Sequence, residues 1–103
     1  MDFAISINKV PVRMTTERWY HITLGHPELS VYYYDILETI EHPDFVFIGN
    51  SEEYLAVKKL NDEMNKFIIV VYKEIDESDG FIITSFITNK KPYFAKKKMI
   101  WKQ

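Results

Sequence analysis

The chain of 103 residues is 47% hydrophobic, carries a formal net charge of −2, and contains three glycines, four prolines and no cysteine. That length fits one domain that buries its own core and leaves no room for a second, cofactor-binding unit. The absence of cysteine removes disulfides, thiolate nucleophiles and cysteine metal sites, and it suits a reducing cytoplasm. Apolar stretches are interrupted by charge well before the ~18–20 residues that cross a bilayer, and no basic segment leads into an apolar block at the N-terminus. A soluble cytoplasmic protein with no membrane partner and no export signal is therefore expected.

Residues 3–7 and 10–14 alternate in polarity around Asn8-Lys9 and predict a short N-terminal hairpin, with the Pro11 arm at an edge. Thr15 or Thr16 offers an N-cap for a first helix of about ten residues that stops at Gly25. His26-Pro27 restarts the chain, proline being at home in a first helical turn. A second helix over residues 27–41 aligns Leu29, Tyr33, Ile36, Leu37 and Ile40 on one stripe. His42-Pro43 ends it.

From there the period changes to two, predicting strands over 44–49, 53–60, 66–75 and 80–88 separated by short polar turns. Strands in series across short loops imply an antiparallel meander. The tail adds an edge strand around residues 99–101 or packs down through Trp101. The expected fold is α+β, with two N-terminal helices on one face of a twisted four-stranded antiparallel sheet.

Charge is unevenly distributed. Residues 35–79 hold twelve acidic and four basic side chains, whereas from Gly80 onward there are six lysines (Lys90, Lys91, Lys96, Lys97, Lys98 and Lys102) and no acid. These lysines form either a solvated surface or a patch that attracts phosphate.

A hairpin closed by residues 76–79 sets Lys73 opposite Ile82 and Val71 opposite Thr84. Lys73 and Thr84 then become diagonal neighbours on one face, with Phe86 and Thr88 further along it. A lysine among Phe67, Ile69, Val71 and Ile75 either snorkels to the rim, pairs with Glu52 or Glu53, or is itself a cation held over a cleft. On the first helix Arg18 and His21 share one face, and Trp19 and Ile22 another. Histidine titrates nearest neutrality and can transfer a proton in either direction, so His21 is the candidate proton carrier, with a plain surface residue as the alternative. His26 reads as a cap for the second helix or a second proton carrier, and His42 as a residue favoured by the helix dipole. His21 and His26 are five apart across a helix stop without a carboxylate cluster, which predicts no metal site. The three glycines are isolated, so no phosphate-cradling loop and no nucleotide cofactor are expected.

Glu17-Arg18-Trp19-Tyr20-His21-Ile22, His26-Pro27-Glu28, Pro43-Asp44, Val70-Val71-Tyr72-Lys73-Glu74, Gly80 to Phe86 and Trp101 together resemble the phage and prokaryotic nucleases of the barnase, EndoU, colicin and RelE superfamily. The resemblance spans nearly the whole chain. It implies a metal-independent, toxin-type endoribonuclease that cuts RNA through the 2'-hydroxyl, with an antitoxin or immunity protein as partner. On matching positions it implies His21 as base or acid, His26 as the second proton carrier, Arg18 as a phosphate clamp, Lys73 as transition-state cation and Thr84 as orienting hydroxyl. Thr88, Lys90, Lys91, Lys96, Lys97 and Lys98 would bind substrate. Ser85-Phe86 departs from the pattern, which has a small residue followed by tyrosine. A non-catalytic RNA- or protein-binding module on the same fold is the alternative.

Overall fold

The structure, a computed structural model, describes residues 1–61, 65–89 and 97–103. Strands β1 (Asp2–Ile5) and β2 (Pro11–Met14) precede helix α1 (Thr16–Gly25), a 3₁₀ segment (Pro27–Val31) and helix α2 (Tyr33–Glu41). Strands β3 (Phe45–Ile48), β4 (Tyr54–Asn61), β5 (Lys66–Asp76), β6 (Asp79–Thr88) and β7 (Lys98–Lys102) follow.

The expected four-stranded antiparallel sheet is corrected: among the described residues the sheet has seven strands in the order β1-β2-β6-β5-β4-β3-β7 and is mixed. β7 adds antiparallel to β3. The N-terminal hairpin joins the other end through a short parallel ladder, Val12 with Gly80 and Arg13 with Phe81. Periodicity locates strands but carries no information about such long-range pairing. The hairpin's edge strand is β1, with β2 inside, because Pro11 opens β2 and the ladder to β6 needs nothing from it before Val12. The outer edge is blunted where Ile5 N–H donates to Glu41 Oε1 at 3.0 Å.

The expected second helix divides. Leu29 accepts from Tyr32 N–H at 2.8 Å, and Tyr32 (φ −112°, ψ 20°) separates the 3₁₀ segment from α2. Ser30 and Val31, poor helix formers, stand at this break. Both pieces still direct the anticipated stripe inward: Leu29, Ile36 and Ile40 are buried, with Tyr33 and Leu37 packed beside them.

The sheet separates two apolar clusters. On the helix side Ile22, Leu29, Ile36 and Ile40 meet Ala4, Val12, Met14, Ala56, Ile68, Val70, Tyr72 and Ile82. On the far side Phe47, Leu55, Val57, Phe67 and Ile69 form a second cluster, with Phe45, Val71 and Phe86 at its margin. Successive side chains of β5 therefore alternate between the clusters, as a strand buried on both faces must.

The β5–β6 hairpin departs from a simple ladder. Asp76 pairs with Asp79 around Glu77-Ser78, and Asp76 Oδ1 accepts from Ser78 N–H and Ser78 Oγ, each at 2.8 Å. Neither turn residue has a positive φ, so the turn lacks the primed twist that suits a hairpin, and the strands adjust next to it. Register shifts fall between Glu74 and Asp76 on β5 and opposite Val71/Tyr72 on β6, leaving Ile75 and Ile83 as extra residues.

Candidate functional site

Helix α1 starts where Thr15, in extended backbone, accepts from Arg18 N–H at 3.0 Å through Oγ1. Ile22 points into the core, and Trp19 meets the ring of Tyr33 edge-on at 4.9 Å. At ~100° per residue, Arg18 and His21 lie on the flank opposite Trp19, turned away from α2. Both are exposed. α1 lies against β6, whose pairing with β2 extends only over Gly80 and Phe81.

His26 follows directly. Its N–H closes α1 by donating to the Ile22 carbonyl at 2.8 Å, and its own carbonyl accepts from Leu29 N–H at 3.0 Å. The imidazole is half-buried, with Nδ1 3.6 Å from Glu28 Oε2 and the ring centroid 6.2 Å from that of Phe86. His26 thus leaves the helical layer and reaches a strand residue at the margin of the far cluster.

Lys73 lies opposite Phe81, which corrects the expected pairing with Ile82; Val71 does lie opposite Thr84. Ile82 is buried on the helix side, and the extra residue Ile83 returns Thr84, Phe86 and Thr88 to the far side. Because Val71 belongs to the far cluster, Lys73 two residues on shares its face. Lys73, Thr84 and Thr88 are half-buried. The structure therefore places Lys73, Thr84, Phe86 and Thr88 along the far face, with the His26 ring beside Phe86 and Lys73 four residues along β5 from Ile69, the partner of Phe86, while Arg18 and His21 stand on a flank of α1.

The lysine patch divides. Lys90, Lys91 and Lys96 lie outside the described residues. Lys97 is half-buried, Lys98 is exposed opposite Ile48, and Lys102 pairs with Phe45 at the other end of β7. Among the described residues no three His, Asp or Glu side chains converge as metal ligands. No helix among them is long and apolar enough to cross a membrane.

A polar cluster unforeseen in the sequence lies around Glu74, next to Lys73 at the C-terminal end of β5. Buried Ser6 donates through Oγ to Glu74 Oε2 at 2.7 Å and accepts from Asn8 N–H and Val10 N–H, while Asn8 Nδ2 donates to Glu74 Oε1 at 3.1 Å. Tyr54 stacks on Tyr72 at 5.3 Å, and the buried Tyr72 hydroxyl has no hydrogen-bond partner among the described residues. The alternation of Ser6 with polar turn residues was the available signal, but its long-range partner Glu74 left none.

Comparison with known protein families, with curated proteins and with solved structures finds no match to this chain.

Proposed function

We propose that the protein is a metal-independent endoribonuclease of the toxin type, acting on RNA at the far sheet face. The observation that carries this reading is the approach of the His26 ring to Phe86 at 6.2 Å, because the strand of Phe86 presents Thr84 and Thr88 on the face of Lys73. An imidazole can carry the proton and an ammonium can stabilise the phosphorane in cleavage through the 2'-hydroxyl, and this face offers both.

In the reaction a base takes the 2'-hydroxyl proton and the oxygen attacks the adjacent phosphorus. The bond to the 5'-oxygen breaks, and an acid returns a proton to it, leaving a 2',3'-cyclic phosphate and a 5'-hydroxyl. His26, with its Nδ1 beside Glu28, is assigned to proton transfer. Lys73 stabilises the charge gathering on the phosphorane, and Thr84 orients the phosphate. His21 and Arg18, on the exposed flank of α1, lie apart from this face, and their part is to hold the RNA backbone where it passes the β6 margin. A cytoplasmic antitoxin or immunity protein would neutralise the enzyme by covering this face.

The test is cleavage of single-stranded RNA in EDTA by the wild type, His26→Ala and His21→Ala. His26→Ala is expected to lose ~10²–10⁴-fold in rate with unchanged melting behaviour. Wild-type rates in both variants would overturn the assignment. RNA bound without any cleavage by the wild type would instead favour the non-catalytic RNA-binding reading.

A further inference from the structure

A groove of about 560 Å³ lies at the end of the sheet, bounded by Lys59, Lys102, Asn65 and Gln103 over Phe45 and Phe67. None of the five residues of the proposed site lines it. We propose that this groove is a subsite for the phosphate backbone of single-stranded RNA several nucleotides away from the cut, an inference that rests on the nuclease reading and extends it.

Charge favours an anion. Among the described residues Lys58, Lys59 and Lys102 border the groove, and Asp44 is the one carboxylate there. Asp44 is turned to the backbone, its Oδ2 accepting Lys59 N–H at 2.8 Å and its carbonyl accepting Gln103 N–H at 3.1 Å. Lys58 Nζ donates to the His42 carbonyl at 2.7 Å and contributes charge from the rim. Lys59 and Lys102 pair with Phe67 and Phe45, far-face residues, and so stand on the same side of the sheet as Lys73. Asn65 occupies a left-handed turn (φ 51°), a conformation that asparagine tolerates, and its exposed amide offers both donor and acceptor.

Register links the groove to the proposed cleavage site. A single row of cross-strand partners runs Lys102, Phe45, Val57, Ile69, Phe86, and the His26 ring lies beside the last. Four steps of ~4.8 Å put Lys102 roughly 19 Å from Phe86. That separation exceeds one internucleotide step, so the groove acts on oligonucleotides and not on a dinucleotide.

The test uses 2'-O-methyl oligoribonucleotides of two and eight residues, which bind but cannot be cut, with the wild type and Lys59→Gln/Lys102→Gln. The double variant is expected to bind the octamer about tenfold more weakly, with the slope of log affinity against log salt reduced by ~1.4, about 0.7 for each phosphate released. Dinucleotide cleavage should be unchanged. Unchanged octamer affinity and slope would overturn the proposal. So would lysine-dependent binding of poly-glutamate with none of the octamer, which would make the groove a site for an acidic protein. If the wild type cuts no RNA yet binds the octamer through these lysines, the nuclease reading falls and the groove stands as an RNA site.

Discussion

Replacing Tyr72 with phenylalanine should stabilise the protein. The ring is 0% exposed and stacks on Tyr54 at 5.3 Å with planes 22° apart, contacts that phenylalanine keeps. The hydroxyl is buried without a partner among the described residues, a state that costs about 1–3 kcal/mol relative to water. Its removal should raise stability by about 1 kcal/mol, or about 4–8 °C in Tm for a domain of this size. Alkaline pH sharpens the test. Burial, then the nearby Glu74 and Tyr54 charges, push the Tyr72 phenol above its ordinary value of 10.0. Above pH 10 the unfolded chain loses this proton while the folded chain keeps it, so stability falls with rising pH by about 1.4 kcal/mol per unit from this group and is flat from it below. Tyr33, pushed up to about 12 by burial and its hydrogen bond to Asp2, contributes a fall of the same sign that the variant retains. Urea unfolding at pH 7 and at steps above pH 10 should therefore show Tyr72→Phe more stable, with the advantage widening only in the alkaline range. A variant less stable at pH 7 would mean that the hydroxyl holds a hydrogen bond in solution and that the reasoning is wrong.

Gly80→Ala should destabilise by about 1–3 kcal/mol in the same assay, because an added Cβ would stand 2.8 Å from the Lys73 carbonyl and 3.4 Å from Val12 where β2 and β6 meet. A neutral result would show that the parallel ladder has slack. Asp79 accepts from Arg13 Nε at 2.8 Å and from Nη2 at 2.9 Å, which holds its carboxyl below the ordinary value of 3.8. The stabilisation this gives is present above the unfolded value and fades as pH falls through the lower, folded one. Carbon-detected NMR titration should find the Asp79 midpoint depressed and restored in Arg13→Ala; an unmoved midpoint would remove the ion pair from the account.

The elements of this chain were legible where local chemistry fixes them. Thr15, Gly25, Pro27 and Pro43 bracket the helical segments, and the apolar runs within Lys66–Asp76 and Asp79–Thr88, bounded by polar turn residues, mark the long strands. What stayed hidden depends on pairing across long stretches of sequence. Arg13 meets Asp79 and Ser6 meets Glu74, and no local pattern in either partner announces the other. The six-lysine tail read as one patch, but pairing of Lys98 with Ile48 and of Lys102 with Phe45 sends its described members to different ends of β7. Lys59, by contrast, sat unnoticed in an acidic stretch until the register set it beside the Lys102 end of the sheet.

The placement of Lys73 and Thr84 on one face shows how register decides chemistry. In an unbroken ladder Lys73 opposes Ile82, and Ile82 then points to the far side with Thr84. Tyr72 pairs with Ile82 instead, because Ile82 completes the apolar layer under the helices. With alternation alone that choice would carry Thr84, Phe86 and Thr88 into the helix-side core and expose Ser85 and Ile87 on the far face. The extra residue Ile83 absorbs the conflict: Ser85 is buried with Oγ donating to the Ile69 carbonyl at 2.8 Å, Ile87 packs under the helices, and the two threonines return to the side of Lys73. Bulges that re-aim side chains recur beside functional sites. Neither bulged position is a glycine or a proline, so the sequence carries no mark of either, and the far face acquires its hydroxyls from the way the helix-side core satisfies its own packing.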